Sequence, residues 1–242
     1  MSNSKEVVVR VAILQSNYIP WKGYFDIIGS VDLFVFHDDL QYTKGDWRNR
    51  NKIKTPKGAE WLTVPCGTSE HRLICDVELT NSDWQRKHWS LIQTHYVKAP
   101  YFKQYSPFFE EIYIGMRWAN LSDMNQHVIK AISTELLGIK VQLDDSRAYD
   151  LKTAKGDRVI ELLKKVGATT YLSGPAAKSY LDEAAFAAEG IGLEWMNYAG
   201  YPEYPQLNPP FDHAVSVIDL LFNTGSDATL FMLYAKKTTN KT

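Results

Sequence analysis

Cysteine is scarce: only Cys66 and Cys75 occur among the 242 residues. Two thiols make no disulfide framework in a chain of this length, and their separation matches no familiar zinc pattern. Long apolar runs are missing too, none approaching the roughly 18 to 20 residues that a membrane-spanning helix requires. The opening MSNSKEVVVR has no cationic start followed by an apolar stretch, so no export signal is expected. Neither sign of charge is in surplus, since 27 basic and 28 acidic residues leave a net charge of -1. That balance excludes a nonspecific nucleic-acid surface and gives no electrostatic reason to sit on an anionic membrane. These shortages predict a protein of the reduced cytoplasm with no nucleic-acid partner and no membrane insertion. Phosphate-loop, G-x-G-x-x-G and G-x-S-x-G fingerprints are absent as well.

Aromatic residues are plentiful, at 13% with 7 Trp and 14 Tyr. Many sit beside polar residues, as in NYIPWKGYF and YAGYPEYPQ. Amphipathic rings of this kind suit a wall that stacks on a sugar or base, and they also serve in ordinary cores.

Residues 7–14, VVVRVAIL, read as a buried strand. The turn-forming QSNYIPWKG leads into a short helix, YFDIIGSV, and DLFVF forms a second strand ending at Asp38 and Asp39. This is a βαβ unit and implies parallel pairing. RNKIK and EWLTVP flank TPKGA, predicting a β-hairpin that turns at Pro56 to Gly58. From 83 to 138 the period becomes helical. One helix is capped from Asn81, Ser82 and Asp83, a second covers about 104–118, and a third runs from Ser122 to Gly138. The α/β rhythm then returns: strand KVQL, helix TAKGDRVIELLKKVG, strand TTYLS, a Gly-Pro turn entering a helix in SGPAAKSYL, and strand GLEWMNY. An irregular Pro-rich stretch, 199–211, precedes the helix AVSVIDLLFN. The expected fold is therefore α/β, a mainly parallel Rossmann-like sheet with a β-hairpin. Residues 1–242 form a single domain, with a helical insertion at about 83–138.

Ligands of open parallel sheets bind outside the carboxyl ends of the strands. Three polar clusters fall at such ends: Gln15-Ser16-Asn17-Tyr18, Asp38-Asp39 and Ser173-Gly174. An adjacent pair of aspartates sends its side chains to opposite faces, so only one of Asp38 and Asp39 reaches a cleft. They suit a general base or loop capping, and no metal site is expected. Arg48 and Arg50 share one face of an extended strand. There they suit a diphosphate or carboxylate, or else a solvated face paired with Asp38, Asp39 or Asp46. His88 is the candidate acid or base by its ordinary pKa, with His37 as second choice; a buried, satisfied imidazole is the alternative. Cys66 has no partner His nearby in sequence and is not expected to be a nucleophile.

The run ILQSNYIPWKGYFDIIGSVDLFVFHDDLQYTKGDWRNRNKIKTPKGAEWLTVP resembles the opening motif of the WbqC-like family. YLSGPAAKSYL and FDHAVSVIDLLFNTG resemble its second half, so the likeness extends from about residue 10 to residue 225. It implies a role in O-antigen and related surface-polysaccharide synthesis. Its motif positions here are Gln15, Asn17, Tyr18, Trp21, Gly23, Tyr24, Asp38, Asp39, Gln41, Tyr42, Trp47, Arg48, Asn49, Arg50, His88, Ser173, Gly174 and Tyr180. A weaker echo links strand, loop, Gly and helix to nucleotidylyltransferases and pantothenate synthetase. Those enzymes carry His-x-Gly-His where this chain has Trp21-Lys22-Gly23-Tyr24, so both histidines are missing. Gly23 keeps a position that permits close approach to a phosphate.

The function expected is a transferase modifying a nucleotide- or lipid-linked amino sugar, with acyl or aminoacyl transfer as its most concrete form. In that form His88 or Asp38 takes a proton from the attacking amine, while Arg48 and Arg50 hold the diphosphate. Trp21, Tyr24 and Trp47 wall the sugar or base. Acyl-CoA and ATP are both candidate co-substrates, and a homo-oligomer stays open. The alternatives are an ATP-dependent ligase or nucleotidylyltransferase-like enzyme, and a noncatalytic sugar-nucleotide-binding or assembly protein.

Overall fold

The computed structural model describes residues 9–235; Val7 and Val8 of the expected first strand lie outside them. Five strands make one all-parallel sheet: β1 (Arg10–Leu14), β2 (Leu33–Phe36), β5 (Gln142–Asp145), β6 (Thr170–Ser173) and β7 (Gly192–Trp195). Their order across the sheet is β5-β2-β1-β6-β7. The other two strands, β3 (Arg50–Thr55) and β4 (Gly58–Thr63), form a separate antiparallel hairpin that turns at Pro56-Lys57.

Alternation along the strands explains why the sheet is covered on both faces. Ala12 of β1 and Phe34 and Phe36 of β2 point into one core cluster, whereas Val11, Ile13, Leu33 and Val35 point into the other. The first core is closed by α1 (Lys22–Ile28), α2 (Asp83–Tyr96), α3 (Phe102–Glu110), α4 (Leu121–Ala131) and α7 (Val217–Thr224). The second, smaller core is closed by α5 (Lys155–Lys165) and α6 (Glu183–Ala188), through Ile160, Leu162, Leu163 and Phe186. No helix among the described residues is long and apolar enough to cross a membrane.

Local chemistry moves several element ends from their expected places. The second helix begins earlier, at Phe102, and ends after one π turn at Gly115. The third begins at Leu121 because Asn120, not Ser122, is its cap: the Asn120 side chain accepts from the Asp123 N–H at 3.1 Å. Pro175–Ser179 makes only a 3₁₀ turn. The helix expected there starts afresh at Glu183, where the Asp182 carboxylate caps the Ala184 N–H. Gly138 (φ 61°) and Gly167 (φ 67°) do occupy the left-handed conformation that ends a helix.

Asp38 is fully buried just past β2. One carboxylate oxygen accepts the Ser16 N–H at 2.7 Å, and the other accepts the Ser122 hydroxyl at 2.5 Å and the Gln126 amide at 3.1 Å. A single carboxylate thus ties the exit of β1 to α4. Replacing Asp38 with Ala leaves the buried Ser16 N–H and Ser122 hydroxyl without an acceptor, and Gln126 with Asp145 and Ser122 alone. It should lower stability by about 2–4 kcal/mol in urea denaturation, since each orphaned group costs about 1 kcal/mol or more. A loss below ~1 kcal/mol would show that this tie does not hold the fold.

Candidate functional site

The chain lays down β1, moves outward through β2 to β5, then returns to the other side of β1 for β6 and β7. The direction of winding therefore reverses between β1 and β6. Strands diverge at such a reversal, and a crevice opens beyond their carboxyl ends. A cavity of about 500 Å³ occupies that position, lined at the strand ends by Leu14, Gln15, His37, Ser173 and Gly174. Lys155 and Gly156, at the start of α5, line it from the other side, and Tyr180 stands exposed at its rim.

Several features suit this cavity to an anionic ligand. No side chain caps the N-terminus of α5, so its first N–H groups and the positive end of its dipole are available. Lys155 adds a cation there, held at φ 55°, a conformation uncommon outside glycine. Cβ atoms built on Gly156 and Gly174 would meet nothing within 4 Å. The backbone is open to an approaching group at both places.

His37 is the imidazole on this wall. Its Nε2 lies 3.3 Å from Arg158 Nε and 3.7 Å from the Asp39 carboxylate. Asp39 is bonded in turn by Arg158 and by the Ser146 hydroxyl. Burial lowers the His37 pKa below the ordinary 6.5, against the opposing pull of Asp39. The ring is neutral at pH 7, and its Nε2 accepts from the Arg158 Nε–H. It takes up a proton only as that bond gives way, with the Asp39 carboxylate placed to stabilise the resulting cation.

A second cavity, of about 310 Å³, is lined by Asn17, Pro20, Trp21, Trp47, Asn51 and Ala214. Arg48 spans the wall between the two: its guanidinium donates to Asn17 Oδ1 at 3.0 Å and to Gln15 Oε1. The loop that carries these residues is held from the hairpin. Tyr18 N–H donates to the Trp47 carbonyl at 2.9 Å, and the Asn51 amide donates to the carbonyls of Tyr18 (3.1 Å) and Ile19 (2.9 Å). Ile19 has φ 33°, in the left-handed region that a β-branched residue strongly disfavours, and it is almost wholly buried.

The remaining candidate residues divide sharply by burial. Gln15, Ser173, Gly174 and Tyr180 meet in the first cavity, and Asn17, Trp21 and Trp47 in the second. Asp38 lines neither, and only Asp39 turns towards the cavity side, behind His37. His88 is buried against Trp84 and Tyr113, with its Nδ1 2.8 Å from the Tyr18 hydroxyl, and it reaches neither cavity wall. Tyr18 and Tyr42 are likewise core residues, and Tyr24 holds the Gln15 carbonyl at 2.9 Å. Asn49 braces the hairpin by donating to the Val64 carbonyl at 2.9 Å, while Gln41 is exposed in a bridge to Leu73.

Two expectations are corrected here. Arg48 and Arg50 do not converge, because β3 begins only at Arg50; Arg48 turns into the loop, whereas Arg50 lies 4.2 Å over the Trp61 ring. Gly23 does not offer its backbone to a phosphate. The indole of Trp21 folds over it, and a Cβ there would come within 2.2 Å of that ring. Burial also raises both Cys66 and Cys75 to about 11, leaving each a thiol at neutral pH. No group of three or more His, Cys, Asp or Glu among the described residues is arranged to hold a metal.

Two residues of the first cavity, Lys155 and Gly156, and Arg158 behind its wall carry no signal of their own in the sequence. The available signal is their setting, Lys-Gly opening an amphipathic helix between two strands, the place where an α/β fold presents a helix N-terminus to a ligand.

The sequence profile of the WbqC-like protein family matches residues 15–230. The chain belongs to that family. An uncharacterized protein of Mycobacterium tuberculosis (strain ATCC 25618 / H37Rv) is 42% identical to it over 230 residues, covering 94% of this chain and 99% of that protein. No solved structure matches.

The burial of His88 has a measurable consequence. An imidazole in the unfolded chain titrates near 6.5, whereas burial holds folded His88 down to about 4. Between these values the unfolded chain binds a proton that the folded chain refuses. The stabilisation is complete above pH 6.5 and declines as pH falls towards 4, by about 3 kcal/mol in total. His37 contributes in the same direction. Urea denaturation across this range should show a flatter decline for His88→Gln than for the parent; equal slopes would place the His88 ring in contact with water.

Proposed function

We propose that this member of the WbqC-like protein family is a transferase that modifies a nucleotide- or lipid-linked amino sugar in surface-polysaccharide synthesis, by acyl or aminoacyl transfer. The observation that carries the reading is the cavity of about 500 Å³ at the reversal of the sheet. It has the size and location expected of a nucleotide-sized ligand site in an open α/β fold. The surface-polysaccharide setting rests on the family resemblance.

A phosphate group is assigned to the uncapped start of α5, between Lys155 and the open backbone at Gly174. His37 takes the role of proton acceptor, since it lines the cavity while His88 and Asp38 do not. In the transfer, the amine lone pair forms a bond to the donor's acyl carbon. Collapse of the tetrahedral intermediate breaks the acyl carbon's bond to the leaving group and expels the CoA thiolate of an acyl-CoA or the AMP of an acyl-adenylate. The proton lost by the amine passes to neutral His37, and Asp39 stabilises the imidazolium. Adenylyl transfer has less support, because the place of its paired histidines is taken by Trp21 and Tyr24, with the Trp21 indole closing over Gly23.

Calorimetric titration with nucleotide sugars, ATP and acyl-CoA tests the site. At least one should bind, and Lys155→Ala should weaken it about tenfold, or ~1.4 kcal/mol. With amino sugars as acceptors, His37→Gln should cut kcat 100-fold or more while leaving that affinity unchanged. Absence of binding across the panel would remove the site; full turnover in His37→Gln would remove the assigned proton acceptor.

A further inference from the structure

The hairpin presents an unusual surface beside the second cavity. Trp47 and Trp61 are 42% and 39% exposed, far more than an indole in a core. Their ring centroids lie 5.3 Å apart, and Trp47 also forms a wall of the cavity, so pocket and surface are continuous. Trp61 pairs with Lys52 across the hairpin, which puts both side chains on one face. The Lys52 ammonium lies 4.9 Å and the Arg50 guanidinium 4.2 Å from the centre of the Trp61 ring. Neither cation forms an ion pair among the described residues. Asp46, the acidic residue nearest in sequence, is 3.6 Å from Arg48 instead.

We propose that this second cavity and the Trp47–Trp61 face form a separate subsite for an anionic saccharide, a sugar bearing a carboxylate or phosphate. The inference deepens the transferase reading and rests on it for the identity of the first cavity's ligand. Each component has a chemical counterpart in such a ligand. The apolar face of a pyranose stacks on an indole, as Trp21 and Trp47 permit. The side-chain N–H₂ group of Asn17 has no hydrogen-bond partner among the described residues and can donate to a ring hydroxyl, its oxygen being held by Arg48. The two unpaired cations supply the charge that an anionic substituent needs. A cavity of about 310 Å³ accommodates one sugar unit and leaves the next to extend along Trp61.

The position of Arg48 connects the subsites. One side of its guanidinium holds Gln15, on the first cavity's wall, and the other holds Asn17, on the second's. A donor in the first cavity and an acceptor in the second would meet across this bridge. The amine receiving the transferred group therefore belongs to the saccharide seated against Trp47.

Glucose 1-phosphate, galacturonic acid, glucose and inorganic phosphate are to be titrated against the full chain, with tryptophan fluorescence as the readout. The two anionic sugars should give saturable quenching with affinities at least fivefold tighter than those of glucose or phosphate alone. Trp47→Ala should abolish the quenching, and Arg50→Gln with Lys52→Gln should weaken it five- to tenfold. Lys155→Ala, in the other cavity, should leave it intact. Thermal melts of each variant accompany the titrations, and Lys52→Gln alone, at the hairpin surface, supplies a second measure if the double variant is unstable. No quenching by any sugar, or quenching unchanged in Trp47→Ala, would overturn the subsite. Sedimentation with phosphatidylglycerol vesicles that depends on Trp47, without a sugar effect, would overturn it in favour of a lipid surface. Nucleotide titration of the same samples separates the two proposals: lost nucleotide binding strikes the first cavity, and lost sugar binding with nucleotide binding intact strikes the second.

Discussion

The buried Asp38 carboxylate is the constraint on which the arrangement of the candidate site depends. It lies where β2 ends and collects one backbone donor from the exit of β1 and two side-chain donors from α4. Gln126 passes the connection on to Asp145 at the end of β5, through a 2.6 Å hydrogen bond. Three neighbouring strands are thereby joined at their carboxyl ends by side-chain chemistry as well as by the backbone ladder. A polar group so deep in a protein is tolerated only when its hydrogen-bonding capacity is filled, and here each oxygen is used. The flanking residues, His37 and Asp39, then face the other way, towards α5 and the cavity.

The same division of labour holds for the loop after β1. Its residues serve different masters in alternation: the Ser16 backbone N–H donates to Asp38, and the Tyr18 side chain turns inward to the Tyr113–His88 cluster. Gln15 and Asn17 turn outward to Arg48. A four-residue stretch thus anchors itself on one side while shaping two cavities on the other. Arg48 is fixed in position too, because its own carbonyl accepts from Asn125 at 2.8 Å. A guanidinium held by two acceptors on a residue anchored through its backbone loses little further freedom when it meets a ligand.

Much of the scaffold was legible in the sequence. The near-continuous apolar run of β1, the change to a helical period after Asp83 and the hairpin around Pro56 each have a local cause, and each appears in the fold. The position of the polar strand ends was legible as well, since it follows from parallel topology alone. What could not be read was which polar residue faces which way. His88 looks like a catalytic imidazole by residue type, yet its helix turns it into an aromatic core. Arg48 and Arg50 look like a matched pair by spacing, but the strand starts two residues later than that spacing assumes. Lys155 looks like an ordinary helix-opening lysine until the sheet order brings its helix to the cavity mouth. Such assignments depend on contacts between segments more than a hundred residues apart, such as Arg158 with His37 and Asp39, and no local pattern encodes them.

Ile19 carries a consequence for engineering. Its backbone is held in a disfavoured conformation by an amide belonging to the hairpin, Asn51, more than thirty residues downstream. The loop's shape is consequently not portable. Transplanted onto another parallel sheet without β3 and β4, the same amino acids would relax to an ordinary turn, and Gln15 and Asn17 would no longer be presented together. Any chimera that hopes to inherit the site must exchange loop and hairpin as one cassette.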